Sequence, residues 1–276
     1  MRRILVVLLP LLCVPAFFAA SAQTAHSTPS WYGFDKDAYP GDALLPQLHR
    51  TFAFTGFWLN NPPGMTSNPW AGKRAVVRAA GFGFLILFNG RLDRQLRHRD
   101  AAGLGRADGA AAIAAARHEG FPPGAILFLD QEEGGPLLGE QAAYLGAWIA
   151  AVNASAFRPG VYVSAIPVPA GRGVRTSTAQ DVEKRFPGTQ LWIWDDRCPP
   201  APGCVAPGAS LSLTQSPVSH TVVWQYAQSP LRKADTAACR RTYAADGNCY
   251  APGPPHSDAT YIDLDLSASP DPSHGR

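Results

Sequence analysis

The pattern that most constrains this chain is a series of eight short apolar segments, spaced along the sequence from residue 31 to residue 266. Each segment is rich in β-branched and aromatic residues and is short enough to form a single β-strand. The apolar residues are nearly continuous rather than alternating, which is typical of parallel strands covered on both faces. The segments are 31–35, 52–59, 82–88, 125–130, 160–164, 190–195, 221–226 and 261–266.

Helical patterns lie between the first six of these segments. The sequence predicts helices over residues 42–49, 71–79, 108–118, 138–153 and 178–185. Asp108 is expected to cap the start of the third helix, and Gly120 follows its end. The pattern is clearest in 138–153, where apolar residues recur with a helical period. Strands that alternate with helices in this way indicate βαβ units and a parallel sheet.

The pattern changes after the sixth segment. Residues 196–220 and 227–260 contain many of the 26 prolines and show no helical period. We therefore predict an α/β fold of the TIM-like (β/α) barrel type, with five βα units followed by three strands and disulfide-stapled loops. An open Rossmann sheet is disfavoured because Gly81 and Gly83 lie within a strand and do not open a helix.

The first residues have the composition of a targeting segment. Arg2 and Arg3 precede an uncharged apolar run over residues 4–20, and Ala20 and Ala22 supply the small residues that a signal peptidase reads. This predicts a signal peptide over residues 1–22 and a secreted or periplasmic protein. The alternative is a membrane anchor, but the run contains two prolines and is at the short limit for a bilayer. No membrane association is expected after cleavage.

Residues 23–276 are predicted to form a single barrel domain with a core over about 31–267. The tail after Leu266 is expected to be disordered. Four cysteines follow the signal peptide, and an even number in an oxidising compartment indicates two disulfides. Three pairings are possible. We favour the two local ones, Cys198–Cys204 and Cys239–Cys249, because each closes a short loop. A zinc site is disfavoured because no two cysteines have a Cys-x-x-Cys spacing.

The formal net charge of the chain argues against some classes of binding partner. Removal of the two arginines of the signal peptide lowers the formal net charge from +3 to +1. A nearly neutral protein has no general electrostatic attraction for nucleic acid or for an anionic membrane. The sequence also lacks a phosphate-binding loop, a Gly-x-Ser-x-Gly elbow and a His-Glu-x-x-His motif. We therefore expect neither a cofactor nor a metal, and we expect a monomer.

Carboxylates stand at the ends of four of the predicted strands. In parallel barrels the functional residues gather at the carboxyl ends of the strands. Any one strand-end aspartate is often only a helix cap or an Asx turn, but acids at four strand ends favour a functional cluster. These acids are Asp35, Asp130, Glu132, Asp195, Asp196, Asp263 and Asp265.

Strand geometry arranges these acids into pairs. Residues i and i+2 of a strand face the same way, so Asp130 and Glu132 should point together, with Glu133 facing away. Asp263 should likewise face with Asp265, and closure of the barrel would bring Asp263 near Asp35. Crowded carboxylates repel one another and raise the pKa of at least one of them. A neutral acid beside an ionised partner is the arrangement that glycosidic bond cleavage requires.

Aromatic residues lie near the same strand ends and could stack on the apolar faces of sugars. They are Trp58, Trp192, Trp194, Trp224 and Tyr226. The alternative for each is a place in the core, which is common for tryptophan in a barrel strand. Gln225 could donate to a sugar hydroxyl or fill a polar layer inside the barrel.

Six short motifs in this order give the chain a family resemblance. They are Gly33-Phe34-Asp35, Phe128-Leu129-Asp130-Gln131-Glu132, Gly160-Val161-Tyr162-Val163-Ser164, Leu191-Trp192-Ile193, Trp224-Gln225-Tyr226 and Ile262-Asp263-Leu264-Asp265. The series resembles the family-25 glycoside hydrolases, which are muramidases that cleave the peptidoglycan glycan strand. It is still more similar to the related glycoside-hydrolase-like domain family of unknown function numbered 1906.

The resemblance implies a role for each acid. Glu132 would be the general acid, and Asp130 would stand ionised beside it and stabilise an intermediate formed with the acetamido group of the substrate. Asp35 and Asp263 would line the opposite wall. The chain departs from the family-25 pattern at Trp194, where alanine is usual.

A second departure is Asp265, which stands where asparagine is usual. The resemblance implies a groove for a glycan polymer, lined by Trp192, Trp194, Asp195, Gln225, Tyr226 and Asp265. The expected activity is hydrolysis of a glycan with N-acetylated sugars, such as peptidoglycan. The alternative is a non-catalytic barrel that binds glycan or cell wall through the same mouth.

Overall fold

The structure is a computed structural model that describes residues 30–195, 211–229 and 248–276. The predicted signal peptide and Cys198, Cys204 and Cys239 lie outside the described residues, so the cleavage site and the disulfide pairing stay predictions. Cys249 is described, and its side chain is buried.

Eight strands close into a barrel, in the order β1-β10-β9-β8-β5-β4-β3-β2. Every predicted strand segment contributes one barrel strand, and the predicted TIM-like α/β architecture is confirmed. Two further short strands, β6 and β7, pair as a separate hairpin after β5. The strands are β1 Trp31–Asp35, β2 Phe54–Trp58, β3 Gly83–Asn89, β4 Ile126–Gln131, β5 Arg158–Ser164, β6 Val168–Pro169, β7 Arg175–Thr176, β8 Gln190–Trp194, β9 Thr221–Ala227 and β10 Asp263–Ser267.

Strand β10 differs from the predicted parallel arrangement. It runs antiparallel to both of its neighbours, β1 and β9, whereas the other barrel pairs are parallel. An antiparallel neighbour needs no helical crossover, so a loop connection is sufficient. As a consequence, Asp263 is the first residue of its strand rather than one of the last. It still lies at the mouth, because the start of β10 is level with the carboxyl end of β1.

Six α-helices accompany the barrel in the part of the chain that the structure describes. They are α1 Leu45–Leu48, α2 Arg74–Ala79, α3 Asp93–Leu96, α4 Ala101–Glu119, α5 Gly139–Asn153 and α6 Thr178–Arg185. The five predicted helices are all present, and α3 was not predicted. Helices α4 and α5 pack closely, since a Cβ at Gly105 would lie 2.2 Å from the carbonyl oxygen of Tyr144. None of the described helices has the length and apolar character needed to cross a membrane.

The start of α4 corrects the predicted cap. The capping residue is Asp100, whose side chain accepts a hydrogen bond from the backbone nitrogen of Gly103. Asp108 lies inside the helix instead and accepts two hydrogen bonds from Arg91, at 2.6 and 2.8 Å, and one from Tyr144. Gly105 permits the close contact with α5, and Gly103 lies against the carboxylate of Asp100; both glycines weaken the helical signal in the sequence.

The tail after Leu266 is ordered, so the expectation of disorder was wrong. Its residues pack beside the first part of β3. This part is paired with β2 on one side but has no partner in β4 on the other. Asp271 Oδ1 accepts from the backbone nitrogen of Phe84, and Ser273 Oγ accepts from that of Ile86. The backbone oxygen of Ser273 accepts from Ile126 of β4. These hydrogen bonds satisfy buried backbone donors and attach the tail to the barrel.

Candidate active site

A cavity of about 300 Å³ opens at the mouth of the barrel, where the parallel strands end and β10 begins. Five carboxyl groups share this cavity with three large aromatic rings. The carboxyl groups belong to Asp35, Asp37, Asp130, Glu132 and Asp263, and the rings belong to Trp58, Tyr162 and Trp192. The cavity therefore combines titratable acids with aromatic rings that are themselves largely buried.

Strand register brings Asp35 and Asp263 together. They are Cα partners in the antiparallel pair of β1 and β10. On the other side of β1, Gly56 of β2 leaves room for the aspartate, since a Cβ at Gly56 would lie 2.7 Å from the Cβ of Asp35. Asp35 is buried, and Asp263 also accepts a hydrogen bond from the backbone nitrogen of Ser229.

Asp130 and Glu132 face the same cavity from the end of β4. Asp130 is only 4% exposed, whereas Glu132 lies one residue beyond the strand and is exposed to solvent. Glu133, the next residue, points away from the cavity, and its Oε2 accepts from the backbone nitrogen of Asp93 and from Gln141 Nε2. The alternation that the sequence predicts thus holds through the strand end, with one deep acid and one solvent-facing acid.

A layer of hydrogen-bonded polar side chains lies within the barrel at this end. Tyr162 donates to the amide oxygen of Gln225 over 2.7 Å, and Gln225 Nε2 donates to Asp35 Oδ2 over 2.7 Å. Trp192 Nε1 donates to Asp265 Oδ1 over 3.0 Å. The carboxyl groups of Asp35 and Asp265 lie in the same buried layer, where each affects the pKa of the other.

Burial decides which of these acids holds a proton. It raises the pKa of Asp265 well above its usual range, and the neighbouring charge of Asp35 adds to the effect. Burial also raises the pKa of Asp35, but hydrogen bonds from Asp265 and Gln225 stabilise its anion and limit the value to about 6. Burial therefore favours the neutral form of Asp265, while its partners favour the anion of Asp35.

The pKa of Asp130 is also raised well above its usual range, first by burial and then by the charges of Glu132, Asp37 and Asp35. This is the opposite of the ionised Asp130 that was expected. The physical reason is that Asp130 is enclosed among other acids, so that the neutral form is favoured.

The two exposed acids at the rim of the cavity, Glu132 and Asp37, also have raised pKa values. Partial desolvation raises the pKa of Glu132, and the charges of Asp37 and Glu133 raise it further, while solvent around this exposed group screens the effect. Partial desolvation and the charge of Asp35 raise the pKa of Asp37 to about 6, against the opposing charge of Lys36. Asp37 was not predicted as a site residue. The i, i+2 rule applied to Asp35 would have identified it.

The predicted groove residues divide between the cavity and its surroundings. Trp192 and Gln225 line the cavity, and Asp265 lies fully buried in the polar layer. Trp194 is partly buried against the core. Asp195 is buried, and its backbone nitrogen donates to the backbone oxygen of Gln225. Neither Trp194 nor Asp195 lines the cavity.

Tyr226 is fully buried with its ring against Tyr32 and Trp224, so the structure does not bring it to the cavity. The side chain of Gln225 points into the barrel, and its two neighbours in the strand therefore face outward. Asp196 lies outside the described residues. Trp58 and Tyr162 do reach the cavity. Both were visible in the sequence, Trp58 as a strand-end aromatic residue and Tyr162 within a family motif.

Proton transfer between carboxyl groups and a bound ligand is the chemistry that this arrangement supports. A solvent-facing acid stands beside a buried neutral acid, and the remaining carboxylates can stabilise positive charge that develops on a substrate. Within the described ranges, no group of three or more histidine, cysteine, aspartate or glutamate residues is arranged to hold a metal ion.

Comparison with known proteins places the chain in a family. The model of the Rv2525c-like, glycoside hydrolase-like domain matches residues 54–202, more than half of the chain. An uncharacterized protein of B. stearothermophilus has a similar solved structure, with 19% identity, a TM-score of 0.53, and coverage of 86% of this chain and 95% of that one. A search of curated proteins finds no match.

The Tat-secreted protein Rv2525c of Mycobacterium tuberculosis, solved in complex with HEPES, is also similar. It shares 10% identity and a TM-score of 0.50, with coverage of 88% of this chain and 97% of that one. These two likenesses show the fold alone. The resemblance to glycoside-hydrolase-like domains is confirmed by the family model, whereas the family number 1906 is not. The chain belongs to the Rv2525c-like glycoside hydrolase-like domain family.

Proposed function

We propose that this chain is a secreted glycoside hydrolase that cleaves a glycan containing N-acetylated sugars, such as peptidoglycan. One observation carries the proposal, namely that five carboxyl groups and three aromatic rings line a single cavity at the mouth of the barrel. A structural role alone would not account for so many acids placed where their repulsion destabilises the fold. Membership of a glycoside-hydrolase-like family gives independent support.

Glu132 is the general acid of this proposal. A glycosidic oxygen is a poor leaving group unless it is protonated, so one acid must remain neutral near the working pH and must reach the bond. The side chain of Glu132 extends into the mouth from just beyond β4 and is exposed to a bound polymer. Its raised pKa increases the fraction that carries a proton.

Asp130 serves the acetamido group of the substrate, the role that the family resemblance assigns to this position. Its Oδ1 is buried at the cavity and, among the described residues, has no hydrogen-bond partner. A neutral Asp130 can donate a hydrogen bond to the acetamido group of a bound sugar, and in its ionised form Asp130 can accept from the acetamido N–H and stabilise positive charge at that group. Asp35 and Asp263 form the opposite wall, and the charge of Asp35 contributes to the raised pKa of Asp130.

The decisive experiment compares wild-type protein with Glu132→Gln on purified peptidoglycan. Glutamine retains the shape of the side chain but cannot donate the catalytic proton. We expect the release of new reducing ends to fall about 10²–10⁴-fold, while binding to insoluble peptidoglycan is nearly unchanged. Glu183→Gln is the matched control, since Glu183 lies on α6 and does not line the cavity.

The result that contradicts hydrolysis is equally specific. If wild-type protein binds peptidoglycan but releases no reducing ends, and Glu132→Gln behaves identically, the chain is a non-catalytic glycan-binding barrel. Loss of binding in the control variant would show that the assay reports on folding rather than on the site.

A further inference from the structure

A second, smaller cavity of about 80 Å³ adjoins the first at the side of β1 and β10. The two cavities have four lining residues in common, which are Asp35, Asp37, Ser229 and Asp263. The residues that belong to the smaller cavity alone are Lys36, Tyr261 and Ile262. It has room for a small group of a few non-hydrogen atoms but not for a sugar ring.

The side chain of Lys36 is the unusual feature of this smaller cavity. The residue is only 5% exposed, and among the described residues its Nζ has no hydrogen-bond partner. The ammonium lies 3.2 Å from the centroid of the Tyr261 ring, a cation–π contact that offsets part of the cost of burial. Three N–H donors of a buried charge are nevertheless left without acceptors, which is a costly state.

The surrounding charges restrict what can satisfy these donors. Burial lowers the pKa of Lys36 to about 8, while the charges of Asp263, Asp37 and Asp258 oppose the change. The lysine is therefore mostly protonated at neutral pH and needs an acceptor. An anionic group is disfavoured, because Asp35, Asp37 and Asp263 line the same small cavity and would repel it.

We propose that this smaller cavity is a subsite for a neutral amide substituent of a second sugar of the bound polymer, not the sugar whose acetamido group meets Asp130, with Lys36 donating to the amide carbonyl. The inference rests on the proposed function, which supplies a sugar in the adjoining cavity. An amide offers both an acceptor and a donor to this site. Its carbonyl can accept a hydrogen bond from Lys36, and its N–H can donate to a neighbouring carboxylate. The ring of Tyr261 adds an apolar surface for the methyl of an acetyl group.

The test measures binding rather than cleavage. Isothermal titration calorimetry would compare a tetramer of β-1,4-linked N-acetylglucosamine with the glucose tetramer of the same linkage, which lacks the amide. Lys36→Met keeps most of the apolar stem and removes the donor. We expect this variant to bind the N-acetylated tetramer about tenfold or more weakly than wild-type protein, and the glucose tetramer within about twofold.

The control is Lys184→Met, which removes an exposed lysine of α6 and should change neither affinity. Loss of a buried charge without a partner should not unfold the barrel, and thermal unfolding of Lys36→Met verifies this. A second measurement uses wild-type protein: the ¹⁵N resonance of the Lys36 ammonium should shift with the N-acetylated tetramer but not with the glucose tetramer.

The outcomes separate the two proposals. If wild-type protein binds the N-acetylated tetramer and Lys36→Met binds it equally well, the subsite is overturned and the proposed function stands. If Lys36→Met weakens the binding of both tetramers equally, Lys36 affects glycan binding in general rather than recognition of the amide, and the subsite is again overturned. If wild-type protein binds neither tetramer, both the subsite and the proposed glycan function fail.

Discussion

Gln225 donates a 2.7 Å hydrogen bond from its side-chain amide to Oδ2 of Asp35, although the two residues are 190 positions apart in the chain. The amide oxygen of Gln225 accepts from Tyr162, so one side chain connects β9 to β1 and to β5 across the barrel. Both hydrogen bonds are buried. Gln225 therefore fixes the orientation of a cavity carboxylate as well as contributing to the stability of the barrel.

Replacement of Gln225 by leucine should be strongly destabilising. The variant leaves the hydroxyl of Tyr162 and the carboxylate of Asp35 buried without these partners, and the expected loss in the free energy of unfolding is about 2–4 kcal/mol. Urea denaturation followed by circular dichroism measures this loss. Gln190→Leu, at the partly exposed start of β8, is the control and should change the free energy of unfolding by less than about 0.5 kcal/mol. Equal effects of the two substitutions would contradict the role assigned to the polar layer.

The sequence was sufficient to predict the strands, because a buried parallel strand has a distinctive continuous apolar composition. It did not predict the direction of β10, since direction depends on the connection rather than on the strand residues. The sequence also misplaced the start of α4. Aspartate is a common helix-capping residue, but the side chain of Asp108 forms an ion pair with Arg91 instead. Two glycines in the first turns of α4 concealed the true start at Asp100.

The acids of the candidate site were predictable for a different reason. Alternation within a strand depends only on local geometry, so Asp130 and Glu132 could be assigned to one face. Their protonation was not predictable in the same way, because the pKa of Asp130 depends on burial and on charges from β1 and its flanking loop. The same limit applies to Lys36. Its burial depends on contact with Tyr261, which is distant in the sequence, so the sequence alone does not distinguish it from a surface lysine.

The raised pKa values of Asp35 and Asp265 predict a pH dependence of stability. The pKa of Asp35 in the folded protein is about 6, and that of Asp265 is raised well above the ordinary value of 3.8. Groups whose pKa is raised on folding stabilise the folded state below their unfolded pKa, and this stability is lost as pH rises through the folded pKa. The contribution of these two groups is therefore complete below the ordinary pKa of 3.8 and declines as pH increases from there through about 6.

Asp265→Asn tests this pH dependence. Asparagine is neutral at every pH, and its amide can donate to Asp35 while its oxygen accepts from Trp192. We expect the melting temperature of the variant to exceed that of wild-type protein by about 3–8 °C at pH 8 and to differ little from it at pH 4. Differential scanning calorimetry between pH 4 and pH 8 provides the measurement. Parallel curves for the two proteins would show that folding does not raise the pKa of Asp265.

The ordered tail gives the last prediction. Asp271 Oδ1 accepts from the backbone nitrogens of Phe84 and Gly275, and Oδ2 accepts from that of Arg276. Asp271→Ala removes these acceptors, leaves the amide of Phe84 without a partner, and should lower the free energy of unfolding by about 1–3 kcal/mol. Glu183→Ala on α6 is the control for the loss of one carboxylate.

Hydrogen exchange of individual amides distinguishes this local role from a general loss of stability. In Asp271→Ala, the amides of Phe84 and Ile86 should exchange faster than those of the central strands, because the tail that covers them is loosened first. Ser273→Ala should have a related effect centred on Ile86, whose amide donates to the serine hydroxyl. A tail that is disordered in solution would give the opposite result, since neither substitution would change the exchange of these amides and both would already exchange rapidly in wild-type protein.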